Sequence, residues 1–449
     1  MENKREHYGL ITATAMIVGI VIGSGIYFKG DDILLGTGGN VLLGVLVFCI
    51  GAFSIIFGNL TLSELSVRSG KSGGVIGFYE GFISKQVASG FGWFQATVYL
   101  PTINAVVSWA AGIYTCLLLG LDFTLENQIL IGSAYMVLIF ALNILSVKLG
   151  GYFQNLATVT KLIPLLVIAA ASLFLGPQDP QIPADVEVVT KTDVGFKWLA
   201  ALVPIAFSYD GWIVALSITD EVRKPKRNMP LALTMGPLIV LGVYLVYFLG
   251  LNNMLGAEFI MSMKDSAVNT AGNILLGTHG ATIINVFVII SILGVVNGLT
   301  LGSLRVPQTL ASKNMLPASG KIEKIDQRIE LSWGSCAISF ALTAFWMVIH
   351  YITQKLGILR GDISDIAIVF SYACYALLYV KVIKMKLSGE IKSVFKGIIC
   401  PVFALMGSSI IIIGGVVSNP LYVPIFMAFC FLVGVIGYMY YNNRIKNEI

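Results

Sequence analysis

Three ionisable side chains, Glu64, Lys161 and Asp210, fall in or at the edge of long apolar runs. At membrane depth a lysine or aspartate costs roughly 2.5–3.5 kcal/mol on insertion scales, and such residues are functional by default. The six cysteines and three histidines are scattered, so no nucleophile–base pair, disulfide framework or zinc set can be drawn. The chemistry left is recognition. Gly23-Ser24-Gly25 lies inside the apolar run Leu10 to Phe28, and each glycine costs about 1 kcal/mol of helix propensity relative to alanine. A break there frees backbone N–H groups that suit an anion and carbonyls that suit a cation. An amino acid carries both charges. A small-residue helix-packing face explains this segment alone equally well.

A second interruption tips the balance. Phe207-Ser208-Tyr209-Asp210-Gly211-Trp212 puts an acid, a glycine and hydroxyl groups in the middle of another apolar run, just after Pro204. Counted by hydropathy, the two breaks fall in the first and sixth spans. Paired breaks at matching positions of two halves point to an inverted-repeat transporter with its site at the bilayer midplane. An offset of five is odd, so the two halves enter the membrane with opposite topology.

The elements that must position these residues follow from composition. Of 449 residues, 56% are hydrophobic and 12% charged, against about 25% charged in a soluble protein. The apolar runs are too long for core helices and too charge-poor for a globular enzyme. About twelve spans are expected. They run 10–35 with its break, 40–62, 88–119, 128–147, 153–175, 196–219, 231–249, 282–304, 333–351, 366–380, 397–417 and 421–441. With both termini inside, the inner segments hold most of the lysines and arginines, among them Arg68, Lys71, Lys148, Arg223, Lys224, Lys313 and Lys384, while the outer ones hold Lys29, Lys191, Lys197, Lys264, Lys355 and Arg360. That asymmetry sets the orientation. The first apolar run exceeds a signal-peptide core and reads as a retained span. Gly70-Lys71-Ser72 lacks the earlier glycine of a phosphate loop, since position 65 is leucine, and Gly23-x-Gly25 lacks the third glycine of a dinucleotide fingerprint, since position 28 is phenylalanine. No cofactor, metal or nucleic acid is expected.

As a collinear set the residues resemble a known family. The segment 17–27, Ser63-Glu64-Leu65 with Lys71-Ser72-Gly73-Gly74, Phe207 to Trp212 followed by Asp220-Glu221-Val222-Arg223-Lys224-Pro225, and Gly294-Val295-Val296-Asn297-Gly298 ahead of Ser312-Lys313-Asn314-Met315-Leu316-Pro317 are similar to the amino acid–polyamine–organocation (APC) transporter superfamily. The last pair resembles its L-amino acid transporter branch and bacterial exchangers. The resemblance implies an all-α polytopic membrane protein of twelve transmembrane helices with a LeuT-like five-plus-five inverted repeat and discontinuous helices 1 and 6. The whole chain, 1–449, is then one transporter domain, with repeats at 8–175 and 196–381 and two further helices at 395–441. Family members often carry a small residue where Asp210 stands. The connection near Asp122 lacks the cysteine through which animal members join an accessory glycoprotein, so no such partner is expected.

The expected function is sodium-independent exchange of small neutral L-amino acids across the plasma (inner) membrane by alternating access, with the amino acid and the lipid bilayer as partners. The substrate carboxylate is expected on the N–H groups of Gly23, Ser24 and Gly25. By resemblance the ammonium meets carbonyls of Val21, Ile22, Phe207 and Asp210, with Ser208 and Asn297 as further pocket candidates and Phe207 as a gating lid. Resemblance also implies that Lys161 stands in for the sodium ion of sodium-coupled relatives, donating to carbonyls near Gly19 to Ile22 and to the eighth span. A proton-coupled symporter, a carrier of cationic amino acids or polyamines, and a non-transporting sensor are the alternatives.

Overall fold

The fold is that of a computed structural model, which describes residues 8–23, 25–69, 74–213, 216, 222–359 and 361–448. The described chain is helical almost throughout. The first apolar run is split into α1 (Leu10–Val21), α2 (Gly25–Phe28) and α3 (Gly30–Gly36), followed by α4 (Val41–Ser66) and the short α5 (Gly74–Phe82). Next come α6 (Lys85–Phe94), which runs through a wide π-turn, Gln95–Tyr99, into α7 (Leu100–Leu119), and α8 (Leu125–Leu145). The fifth expected span is α9 (Val147–Thr160) and α10 (Leu162–Phe174), meeting at Lys161; the sixth is a 3₁₀ segment, Gly195–Ala201, leading into α11 (Leu202–Ser208). Beyond it lie α12 (Pro225–Leu255), α13 (Ala257–Met263), α14 (Ala267–Leu276), α15 (Gly280–Ser303), α16 (Val306–Ser312) and α17 (Ser319–Ile322). The last helices are α18 (Trp333–Lys355), α19 (Ile363–Leu387), α20 (Cys400–Ser418) and α21 (Tyr422–Glu448).

Short polar residues start these helices where apolar runs meet. Asn40, Ser84, Thr124, Ser146 and Ser332 each accept a hydrogen bond from a backbone N–H in the first turn of the helix that follows, which satisfies a donor that has no partner within the helix. Gly120 ends α7 at φ 62°, a left-handed position that glycine adopts without a Cβ penalty.

Among the described residues nine helical stretches are long and apolar enough to cross a membrane, and three shorter apolar ones begin at Leu10, Leu162 and Gly195. The three that fall short are the interrupted ones. Glycines break the first, Lys161 and Pro164 the fifth, and the Asp210-Gly211 turn the sixth. Side chains such as Leu42, Leu145 and Phe174 stand 77–88% exposed on the outer faces, as lipid-facing positions do. Inside the bundle α12 packs against α1, α4 and α10, and α7 against α8, α15 and α18. The breaks of the first and sixth runs therefore lie within protein, where their unpaired backbone groups can find partners.

The structure shifts two expectations. The fifth run begins at Val147 rather than near Phe153, so Lys161 stands about 21 Å along its helix. The seventh is a 31-residue helix, Pro225–Leu255, longer at both ends than a hydropathy window suggests because its ends are polar. Between it and α15 lie α13 and α14, which are too short to span and leave no hydropathy signal.

Candidate substrate site

The two breaks meet. α1 ends with Val21, and Ile22 turns extended (ψ 104°) while its N–H still bonds the Val18 carbonyl. Gly25 opens α2 against the last turn of α11. A Cβ placed on Gly25 would lie 2.7 Å from Ser208 Cα, 3.3 Å from Ser208 N and 3.2 Å from Phe207 Cδ1. Only a hydrogen atom fits there, so the spacing of the two broken helices is set by the missing side chain. Gly23 is freer, with Val295 Cγ2 at an ordinary 3.4 Å. Ser24 lies outside the described residues. Val21 and Ile22 are buried, as are Phe207 and Ser208.

The sixth-run break is a tight turn. The Tyr209 N–H donates to the Ile205 carbonyl and the Asp210 N–H to the Phe207 carbonyl at 2.9 Å. Gly211 then takes φ 89°, a region that favours glycine. The Phe207 carbonyl expected to meet a substrate ammonium is thus already one hydrogen bond down; a carbonyl oxygen has a second lone pair to offer.

Two tyrosines that the sequence does not single out complete the centre. From α12, the Tyr244 hydroxyl lies 3.0 Å from the Ser208 carbonyl and 3.4 Å from the Val21 carbonyl. One O–H proton thus lies between the last helical carbonyls at the two breaks, groups that lack partners within their own helices. Tyr244→Phe leaves the Ser208 carbonyl without this donor. A buried unsatisfied group costs about 1–3 kcal/mol, so transport is expected to fall roughly five- to a hundredfold with expression unchanged. Uptake by the purified variant measures it.

The second tyrosine is Tyr99, whose hydroxyl donates to the Asp210 carboxylate, 2.7 and 2.8 Å from its two oxygens. Tyr99 closes the π-turn in the long Lys85–Leu119 helix, and such single-turn bulges recur at functional sites. The sequence signal was Pro101. Its missing N–H frees the Thr97 carbonyl, and the Trp346 indole N–H takes it up at 2.7 Å. Aromatic rings pack around its neighbours: Phe94 lies 6.0 Å from Tyr99, and Tyr375 lies 5.5 Å from Trp212 and 5.9 Å from Tyr372.

Lys161 is 4% exposed, and its ammonium donates to the Gly19 carbonyl near the end of α1. The last carbonyls of a helix lack intrahelical partners and carry negative partial charge, so a cation suits them. Its own carbonyl accepts from the Tyr27 hydroxyl of α2 at 2.8 Å. The ammonium ties one half of the broken first run to the fifth, and the backbone ties the other. The expected bond from Lys161 to the eighth run does not occur among the described residues, because the ammonium is directed at α1.

Asn297 stands elsewhere. It accepts from the Asn143 amide at 2.7 Å and donates to the Gly150 carbonyl at 3.0 Å and the Gln154 side-chain oxygen at 2.9 Å. Its amide is therefore spent joining α15 to α8 and α9, so the structure assigns it to helix packing and not to the pocket. Glu64 accepts from Arg68 at 2.5 Å and pairs with Lys396 at 3.0 Å, an ion pair at the end of α4 away from the breaks.

Lys29, read from sequence as one of few outer basic residues, is 2% exposed. It pairs with Asp362 at 2.7 Å and Asp365 at 3.1 Å. Sequence distance hid this cluster: more than 330 residues separate the partners.

Comparison with known proteins identifies the family of the chain. The profile of the amino acid permease family matches residues 8–436. The chain is similar to the serine/threonine exchanger SteT of Bacillus subtilis (strain 168), at 27% identity over 408 residues covering 90% of each chain. It is similar to the human b(0,+)-type amino acid transporter 1 at 25% identity, covering 97% of this chain and 87% of that one. The human large neutral amino acids transporter small subunit 2 matches at 27% over 332 residues, 70% of this chain and 59% of that one.

Proposed function

Since this chain belongs to the amino acid permease family and is a multi-pass amino acid transporter rather than an enzyme, we propose that it exchanges small neutral L-amino acids across the plasma (inner) membrane, independently of sodium and with both termini cytoplasmic. Residues 8–175 and 196–381 act as inverted repeats that rock about the site, with 395–441 outside them. The carboxylate of the substrate takes the backbone N–H groups of Gly23, Ser24 and Gly25. Its ammonium takes carbonyls of Val21, Ile22, Phe207 and Asp210, beside Ser208, and the Phe207 ring closes over it. The observation that carries this reading is the contact of Gly25 with Ser208, 2.7 Å for an added Cβ, which joins the breaks at one point. The exchanger named among the relatives supports exchange.

One observation favours a second reading, transport of cationic amino acids. The Asp210 carboxylate lies at the break and accepts from the Tyr99 hydroxyl and the Gly211 backbone N–H; a carboxylate has about four acceptor positions, which leaves capacity for a substrate side chain. A single experiment separates them. Uptake of labelled serine, threonine, alanine, arginine and lysine into proteoliposomes, with and without internal amino acid, is compared for wild type and Asp210→Asn. The neutral reading expects serine, threonine or alanine to lead and Asp210→Asn to change their ranking little. Arginine uptake lost at least about tenfold in the variant, the size expected for a charge-assisted hydrogen bond, establishes the second reading instead. Uptake that does not need internal amino acid removes exchange.

A further inference from the structure

A groove of about 290 Å³ runs between α6, α19 and α21, and no charged side chain lines it. Its floor is aromatic and buried: Phe91 and Phe94 of α6 and Phe370 of α19 are at most 9% exposed. Its rim is open, with Leu377 53%, Phe431 65% and Tyr438 41% exposed. The walls are stiff. A Cβ on Gly90 would lie 2.6 Å from the Gly434 carbonyl oxygen, so α6 and α21 meet main chain to main chain beside the groove. The Tyr79 hydroxyl donates to the Cys374 carbonyl at 2.7 Å and ties α5 to α19 at another wall.

The groove also has a direction. Phe370, Cys374 and Leu377 recur four and three residues apart along one face of α19. The next residue on that face is Lys381, about 6 Å beyond Leu377 at 1.5 Å per residue. Lys384 and Lys386 follow in the last turn, so this end of α19 is where the helix leaves the hydrocarbon. Lys381 pairs with no carboxylate among the described residues. An apolar slot that ends at a cation complements a hydrocarbon chain that ends at an anion. Within a bilayer the hydrophobic effect does not favour the slot over the surrounding lipid. What selects one chain is close packing on rigid walls and charge at its head.

We propose that this groove seats one acyl chain of an anionic phospholipid, whose phosphate pairs with the Lys381 ammonium. The chain packs on Phe94, whose ring centre lies 4.7 Å from that of Phe370 and 6.0 Å from that of Tyr99. The lipid therefore backs the ring that supports the Tyr99–Asp210 contact. The proposal is independent of which amino acid is carried, since it needs only a chain that spans a membrane.

The test titrates delipidated full-length protein with dioleoyl phosphatidylglycerol and counts bound lipid by native mass spectrometry. In parallel, N-ethylmaleimide reports on Cys374, with Cys374→Ala giving the background of the other cysteines. Wild type is expected to hold one lipid more tightly than the rest, and that lipid should slow Cys374 labelling at least about fivefold. Gly434→Leu puts a side chain into the groove, and its Cβ meets only Gly90 main chain, at an ordinary 3.7 Å. Both Gly434→Leu and Lys381→Gln should weaken the tight lipid about tenfold or more, the latter by the loss of a charge-assisted contact. Lys392→Gln removes the same charge beyond the end of α19 and should change affinity less than about twofold. Changes below about threefold in both Gly434→Leu and Lys381→Gln, with both variants monodisperse, overturn the proposal. So does an equal loss in Lys392→Gln, or a tight lipid that leaves Cys374 labelling unchanged. Oleate that displaces the phospholipid at equal concentration overturns it too, and assigns the groove to a free fatty acid.

Discussion

Gly25→Ala is expected to abolish transport, and Gly23→Ala to reduce it far less. The two glycines stand two residues apart in the same break and look equivalent in sequence. Their surroundings are not. The methyl group that Gly25→Ala adds would meet main-chain atoms, Ser208 Cα at 2.7 Å and Ser208 N at 3.3 Å, with the Phe207 ring at 3.2 Å. Main chain cannot swing aside as the end of a flexible side chain can, so α2 and α11 must separate. Misplacing binding groups by about 1 Å can cost a hundredfold in rate, and here the shift falls between the two halves that hold one substrate. At Gly23 the nearest side-chain atom is Val295 Cγ2 at 3.4 Å, and alanine keeps the N–H. Exchange in proteoliposomes is expected to drop at least about a hundredfold for Gly25→Ala and less than about tenfold for Gly23→Ala. Equal losses in the two would show that helix flexibility, and not the contact with Ser208, sets the effect.

The breaks themselves were legible because glycine and proline act locally. Gly23-Ser24-Gly25 and the turn at Asp210-Gly211 interrupt helices wherever they occur, and the structure ends α1 at Val21 and α11 at Ser208. Lys161 was legible for a similar reason, since a lysine in an apolar run needs a partner and its ammonium donates to the Gly19 carbonyl. What the sequence hid was long-range. Tyr99 and Tyr244 are two of 18 tyrosines, and neither breaks a pattern; their roles come from where α12 and the π-turn carry them. Asn297 shows the opposite error. A polar residue inside an apolar run suggested the pocket, yet Asn143, Gly150 and Gln154 satisfy it between helices. Burial makes a polar side chain find partners without saying whether a substrate is among them. Lys29 was visible only as a contribution to topology, because its carboxylates begin a helix more than 330 residues away.

Sodium should be dispensable to this protein, and Lys161→Ala should cripple it. The ammonium lies deep in the bundle, 4% exposed, at the junction of α9 and α10, where it holds the Gly19 carbonyl of α1. A hydrogen bond to a charged donor is worth about 1.5–3 kcal/mol, so its loss corresponds to roughly a ten- to hundredfold change at 1.4 kcal/mol per tenfold. Alanine isolates the ammonium: the bond from Tyr27 runs to the Lys161 backbone carbonyl at 2.8 Å and survives the substitution. The first half of the first run, α1, then loses its tie to the fifth while the second half, α2, keeps one. Transport should fall by at least about tenfold, with insertion and expression intact because removing a charge favours insertion. In the wild type, replacing sodium with choline should leave the rate of exchange unchanged, since a fixed ammonium already supplies the positive charge at the end of α1. Parallel uptake assays in sodium and choline, run on wild type and on Lys161→Ala, measure both. An active alanine variant would reduce Lys161 to a packing residue, and a sodium requirement in the wild type would show that its ammonium leaves a cation site unfilled.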